Sequence, residues 1–564
     1  VQSYPQWPNL AVMMFDRARS WPERPMLRAW RDDAWQSTPW GQFGRLTAAV
    51  ARGLRAAGIA AGDRVLIASE NRPEFPIAET ALLAIRAVPV PAYITNTVAD
   101  YAHILRDSGA RAAIVSTAAL AARVAEAGPL DLMVTLERFS VPGLTTVAWD
   151  DLARDDGPCD DIAAEAALIP PDALACLIYT SGTGGAPKGV MLSHRAVLSN
   201  CRGAIPLLVP VQRAHEVYLS FLPLSHGYEH TVGQFFLLSV GVEVVYSRGL
   251  EHLAADMLAV RPTLMTMVPR VLEVIRARVL NQAARQPAWR RWLFERAMAI
   301  GHRRAAGEVL ATAERLFDPL LERLVRRRVR ARFGGRLHMI MSGGARLEPD
   351  IGWFFLALGM PLMQGYGQTE AGPVISANTP DRIHIDTVGR PLKGVEVRIA
   401  EDGEILVRGE LVMTGYWGRP EETDAVIRDG WLHTGDIGAL DAEGYLRITD
   451  RKRDIIVLSG GENVSPARIE GLLVAEPAIA QAVVHGNGRP GLRALVVASE
   501  GYDEMAVAAA VSNVNTRLAV TERIRKHAVV PAFTIDNGLL TATQKVRRHL
   551  VFEQHRAVLE QIHR

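Results

Sequence analysis

The sequence predicts an α/β protein. It has a large N-terminal region of helix-covered parallel sheets, a β subdomain within that region, and a small mobile α/β domain at the C-terminus. Three observations predict this. Through the first 270 residues, short apolar runs alternate with amphipathic stretches, the rhythm of strands that feed helices over parallel sheets. Residues 386–450 are rich in Gly, Asp and short alternating strands, which reads as a β unit with tight turns. After Asp450, the tetrad Arg451-Lys452-Arg453-Asp454 leads into a compact alternation of helix and strand. The boundaries follow: residues 1–450 form the large domain, 451–454 the joint, and 455–564 the small domain.

Element by element, residues 65–69 (VLIAS) read as a buried strand. Residues 73–87 read as a helix with Pro73 near its first turn. Residues 88–94 are extended, and 97–107 form a helix opened by a Thr97/Asp100 capping box. Residues 112–116, 217–222, 242–246 and 264–268 repeat the strand signal. From about 270 to 336 the chain turns helical and Arg-rich, ending in LVRRRVRARFGGR. This is a helical insertion with a solvated face, or a surface for anionic lipid headgroups centred on residues 323–336. Residues 337–342 are a short strand, and 356–367 lead into a Gly-rich loop. Ser465-Pro466 supplies an N-cap and an N1 proline, and the strands 482–485 and 495–498 follow.

Composition narrows the function. The 564 residues carry 63 basic and 61 acidic side chains, a net charge of +2. That balance argues against a nucleic-acid binder. A hydrophobic share of 49% supports a large core. Three cysteines, Cys159, Cys176 and Cys201, make neither a disulfide framework nor a zinc site. The uncharged stretch 231–242 is shorter than the roughly 20 residues that span a bilayer. No early basic-then-apolar segment reads as a signal peptide. A cytoplasmic protein is expected, with peripheral contact at the inner face of a membrane as an option. Only five lysines occur, Lys188, Lys393, Lys452, Lys526 and Lys545, so each draws notice.

The segment 179–190 (YTSGTGGAPKGV) carries the most chemistry. A strand delivers it, and its glycines and small hydroxyls let backbone N–H groups approach phosphate oxygens. Lys188 adds a mobile charge. Gly-Lys-Ser/Thr is absent, so this is not a Walker A loop, which disfavours an orthophosphate-releasing ATPase or kinase. Four further motifs follow in order: 364–370 (QGYGQTE), 431–436 (WLHTGD), 450–454 (DRKRD) and 543–547 (TQKVR).

In order and spacing these motifs resemble the adenylate-forming superfamily of acyl-CoA synthetases, aryl-CoA ligases, peptide-synthetase adenylation domains and luciferases. The resemblance covers nearly the whole chain. Within the superfamily the chain is most similar to long-chain fatty acyl-CoA synthetases, through 222–229 (LPLSHGYE), 268–270 (VPR) before a helical insertion, 342–345 (SGGA) and 454–466 (DIIVLSGGENVSP).

The resemblance implies ATP, Mg²⁺ and coenzyme A as cofactors and a medium- or long-chain fatty acid as substrate. It implies two half-reactions: attack of the carboxylate on the α-phosphorus to give acyl-AMP and pyrophosphate, then transfer to coenzyme A. Lys545 would neutralise charge on the carboxylate and α-phosphate. Glu370 would hold Mg²⁺, with Thr183 also near the metal. Thr369 and the loop Thr180, Ser181, Gly182, Thr183, Gly184, Gly185 and Lys188 would contact phosphates. Tyr366 would stack on adenine, flanked by Gln364, Gly365 and Gly367, with Gly343, Gly344 and Ala345 on its other side. Asp436 and Arg451 would take the ribose. His226 would gate or position the acyl carboxyl end, or be structural. Arg453 falls at the hinge.

Three positions depart from the pattern. Gly184 replaces a hydroxyl of the phosphate loop, Val457 stands where some relatives have lysine, and Gly227 stands where a larger residue is common and would widen or redirect the acyl tunnel. The alternatives are an acyl-AMP ligase that loads a carrier protein, an aryl-acid CoA ligase, and a non-enzymatic lipid-binding protein on a degenerate ligase fold.

Overall fold

The computed structural model describes residues 4–154, 157–180, 186–208, 215–460, 462–540 and 546–563. In the large domain, a nine-stranded sheet has the order Arg390–Pro391, Val374–Ala377, Leu362–Gly367, Met339–Ser342, Leu264–Met267, Val217–Ser220, Glu243–Tyr246, Pro25–Arg31, Ala34–Pro39. Its central pairs are parallel and its edges antiparallel. A second sheet of five parallel strands has the order Val88–Ala92, Arg64–Ala68, Ala112–Val115, Leu132–Thr135, Thr145–Ala148. Alternation along single strands divides the core. Val65 and Ile67 pack to one side of the second sheet, Leu66 and Ala68 to the other. Burying each of Val65, Leu66 and Ile67 contributes about 1.5–3 kcal/mol.

Local signals explain most boundaries. The Thr97/Asp100 capping box forms in both directions and starts helix Val98–Ser108, which ends at the left-handed Gly109. Helix Glu74–Ala84 is buried along its whole length. It stops short of the predicted residue 87 because Arg86, at φ 62°, turns the chain into the strand Val88–Ala92. The chain returns from strand Leu174–Thr180 through strand Lys188–Ser193 as an antiparallel hairpin.

The insertion consists of helices Pro269–Ala284, Ala288–Ala305 and Thr312–Leu321, a π-helical turn Glu322–Arg326 and helix Arg327–Ala331. Gly301 lets the second of these press onto helix Pro349–Ala357: a Cβ there would lie 2.1 Å from the Ala357 carbonyl oxygen. The Arg-rich run 323–336 is less free than the sequence suggests. Arg326 is fully buried against Asp318 and Glu322. Arg330 binds Glu322 and the Leu358 carbonyl, and Arg332 binds Gln282.

Strands Glu396–Ile399, Glu404–Arg408, Ile427–Arg428, Trp431–Leu440 and Leu446–Arg451 make an antiparallel sheet. The small domain holds a three-stranded sheet, Ile479–His485, Leu492–Ala498, Ile524–Val529. Helices Pro466–Val474 and Glu504–Thr516 cover one face, and Arg548–Gln554 and Arg556–His563 the other. Ser465 caps the first of these helices through the Arg468 N–H. Among the described residues, no helix is long and apolar enough to cross a membrane.

Candidate functional site

One cavity of about 1280 Å³ runs between the parallel sheet, the antiparallel sheet and the small domain. Its nucleotide-sized end is polar. Sheet register builds it: in the hairpin Trp431–Leu440/Leu446–Arg451, Asp436 lies directly opposite Arg451. The Arg451 Nε sits 3.3 Å from Asp436 Oδ1, and the Tyr366 hydroxyl donates to Asp436 Oδ2 at 2.6 Å. Tyr366 is buried at the end of strand Leu362–Gly367, and burial pushes its phenol well above the ordinary range. A buried carboxylate with one cation and one hydroxyl can accept further hydrogen bonds from vicinal hydroxyls.

Gly343, Gly344 and Ala345 line the same end. A Cβ on Gly343 would meet the Tyr228 ring at 3.1 Å. Gly365 and Gly367 also line it, and Gly367 cannot carry a side chain, because its Cβ would fall 1.7 Å from the Pro373 carbonyl oxygen. Gln364 lines the cavity, but its amide is committed to the Ile385 carbonyl.

Next comes a set suited to phosphate and metal. Thr369 and Glu370 form a short helical turn after strand Leu362–Gly367. The Tyr416 hydroxyl donates to Glu370 Oε1 at 3.0 Å. Lys188 lies over the Tyr416 ring at 4.7 Å and pairs with Glu422, which holds the Glu422 carboxyl below its ordinary range. Thr180 faces Lys188 across the hairpin and lines the cavity. Ser181, Gly182, Thr183, Gly184 and Gly185 lie outside the described residues, as does Lys545. Val546, Arg547 and Arg548, which follow Lys545, line the cavity.

Among the described residues, no cluster of three or more His, Cys, Asp or Glu could cage a metal ion. A lone carboxylate such as Glu370 fits Mg²⁺, which keeps most of its shell as water and phosphate oxygens.

An apolar arm of the cavity lining is made by Leu207, Leu208, Val232, Phe236, Leu237 and Leu264, and His226 lines the same cavity. Its Nδ1 accepts the Tyr228 N–H at 3.2 Å, and its ring tilts toward Tyr93. Gly227 sits against Thr369. Its lack of a side chain therefore makes room for Thr369 rather than for the apolar arm. Under the arm lies buried Glu229. It accepts from Tyr218 at 2.7 Å, Ser220 at 2.6 Å and Thr266 at 2.9 Å, and burial pushes its carboxyl up to about 7.

Tyr416, Glu422 and Tyr218 were not among the residues the sequence singled out as site members. No local signal marks the first two. Glu229 closes the LPLSHGYE segment, and its burial was the missing fact.

Two family models match the chain: the AMP-binding enzyme model over residues 14–417, and the AMP-binding enzyme C-terminal domain over residues 453–564. The chain belongs to the AMP-binding enzyme family. It is an AMP-forming acid–thiol ligase, which activates an acid with ATP as the acyl adenylate and transfers the acyl group to a thiol. The long-chain-fatty-acid–CoA ligase FadD15 of Mycobacterium bovis is 33% identical over 98% of this chain and 97% of its own length. Long-chain-fatty-acid–CoA ligase 6 of Mus musculus is 32% identical over 74% of this chain and 63% of its own length. Among solved structures, the anthranilate CoA ligase AuaEII in complex with anthranoyl-AMP superposes with a TM-score of 0.77 at 20% identity, over 99% of both chains. A benzoate CoA ligase from Burkholderia xenovorans LB400 gives 0.74 at 22% identity, over 96% of this chain and 99% of its own.

Proposed function

We propose that this ligase activates a hydrophobic carboxylic acid, foremost a medium- or long-chain fatty acid, and that its thiol acceptor is coenzyme A. The observation that carries the reading is the group of apolar residues, Leu207, Leu208, Val232, Phe236, Leu237 and Leu264, that shares one cavity with the polar residues Thr369, Glu370 and Asp436. An aliphatic chain against the apolar residues would leave its carboxylate for the polar ones. The similarity to FadD15 over nearly the whole chain supports it.

A second reading, an aryl-acid CoA ligase, is favoured by two solved structures of similar shape, an anthranilate and a benzoate CoA ligase. The Tyr228 ring against Gly343 favours it too, because it narrows the cavity next to the adenine end.

In the first half-reaction the chain's residues position and neutralise rather than bond covalently. Asp436 and Arg451 orient the ribose, and Tyr366 supports Asp436 and the adenine. Lys188, Thr180 and the phosphate loop neutralise the pyrophosphate, and Lys545 neutralises the α-phosphate. Glu370 would hold Mg²⁺, which supplies charge neutralisation on the phosphates when bound. Arg453 acts as the pivot of the small domain. Lys452 is tied to the large domain through Asp402 at 2.6 Å and Glu404 at 3.0 Å, and Asp454 lies 3.8 Å from Arg548 of the small domain. Arg453 stands between these two anchors, where a hinge can absorb rotation.

The test is pyrophosphate release from ATP and Mg²⁺ with a panel of fatty and aryl acids, with and without coenzyme A. Sustained, coenzyme-A-dependent turnover on fatty acids is expected. Turnover confined to aryl acids supports the second reading. A burst that coenzyme A cannot extend points to a carrier protein as acceptor.

A further inference from the structure

We propose that the outer edge of the helical insertion docks on the surface of an anionic lipid bilayer, through a face different from the Arg-rich run that drew attention in the sequence. On helix Ala288–Ala305, Trp289 is 60% and Trp292 54% exposed. On the antiparallel neighbour Thr312–Leu321, Leu316 is 78% and Leu320 46% exposed, one turn apart. Phe317 joins the two helices, its ring centroid 6.2 Å from that of Trp292. Large apolar side chains presented together to solvent mark an interaction surface.

Charge identifies the partner. Residues 270–336 hold 17 arginines against six acidic residues, a net +11, whereas the rest of the chain sums to −9. All six acids are already neutralised inside the insertion. Glu273 pairs with Arg270, Glu295 with Arg291, and Glu308 with Arg303. Glu314 pairs with Arg296 and Arg303, Asp318 with Arg304 and Arg326, and Glu322 with Arg326 and Arg330. The outward field is therefore carried by arginines.

Several of those arginines border the apolar edge. Arg290 lies over the Trp289 ring at 5.0 Å and, among the described residues, makes no ion pair. Among the described residues, Arg285 and Arg315 are exposed, form no ion pair, and lie within four residues of Trp289 and Leu316 respectively. Indoles that settle at the headgroup level, leucines that enter the acyl boundary, and guanidinium groups that reach lipid phosphates together describe an interfacial surface. Nucleic acid shares the phosphate chemistry but offers nothing to Leu316 and Leu320.

The test is co-sedimentation of the full chain with vesicles of pure phosphatidylcholine and with vesicles doped with phosphatidylglycerol. Binding only to the doped vesicles, weakened by salt, is expected. The double variants Trp289→Ser/Trp292→Ser and Leu316→Ser/Leu320→Ser should each lower the partition coefficient at least about tenfold, with unchanged circular dichroism and unchanged turnover of a water-soluble acid. Two independent pairs keep the test valid should one variant misfold. Absence of wild-type binding, equal binding to uncharged vesicles, or undiminished binding by both variants would overturn the proposal. So would concentration-dependent self-association that both variants abolish, which would assign the edge to a second copy of the chain. Selective retention of nucleic acid, with no vesicle binding, would overturn it as well.

Discussion

Glu229→Gln isolates one titrating group in the core. Glu229 is fully buried, and its three partners, Tyr218, Ser220 and Thr266, are neutral hydroxyls. Burial raises its carboxyl from 4.5 to about 7, against the opposing pull of these hydrogen bonds. Between those two values the unfolded chain has released a proton that the folded chain still holds. Stability therefore falls as pH rises through this window, at up to about 1.4 kcal/mol per pH unit. Above the folded value both states are ionised and the loss levels off. The shift converts to about 3 kcal/mol in total.

Glutamine keeps the shape, does not titrate, and can still exchange hydrogen bonds with hydroxyls free to rotate. Urea unfolding of wild type and variant is compared across the window, and their difference cancels every other titrating group. The variant should gain about 3 kcal/mol on wild type between the two pKa values, with no further change above pH 7. A difference independent of pH would refute the reasoning, because Glu229 would then hold one protonation state throughout. A variant that loses ground as pH rises would refute the sign. Tyr218 and Thr266 line the acyl cavity as well as binding Glu229, so the wild-type KM for the acid should change with pH over the same range, and that of the variant should not.

Asp436→Asn removes the charge between Arg451 and Tyr366; a charge-assisted hydrogen bond is worth about 1.5–3 kcal/mol, so KM for ATP should rise roughly 10- to 100-fold, and an unchanged KM would remove Asp436 from the nucleotide site. Arg453→Pro should spare pyrophosphate exchange and slow thioester formation from preformed acyl-AMP; equal loss in both half-reactions would sink the pivot. Gly301→Ala forces a Cβ to within 2.1 Å of the Ala357 carbonyl oxygen and should cost about 1–3 kcal/mol in chemical denaturation; a neutral result would show that the two helices separate freely.

Much of the fold was legible because its signals are local. The capping box at Thr97/Asp100, the cap at Ser465, and the apolar runs at 65–69 and 264–268 each act within a few residues. The motifs that converge on the cavity were legible one at a time. The pairing of Asp436 with Arg451 is also local in origin, since a hairpin register fixes it.

What escaped the sequence depends on distant partners. Lys188 meets Glu422, and Glu370 meets Tyr416, only through the fold. Gln364 belongs to a cavity motif, yet its amide is taken by the Ile385 carbonyl, a bond invisible in the motif itself. The arginine run 323–336 is the most conspicuous charge feature, and part of it is spent inside the fold. Arg326 and Arg330 share Glu322, at four and eight residues back, while Arg326 also reaches Asp318. Helical spacing folds those charges inward, so a dense cluster in sequence became partly structural. The exposed edge carries arginines singly beside Trp289 and Leu316. Charge density along a chain measures composition. The charge a partner meets is what remains after each acid has found its nearest base, and in this insertion part of that remainder, Arg285, Arg290 and Arg315, lies next to the apolar side chains.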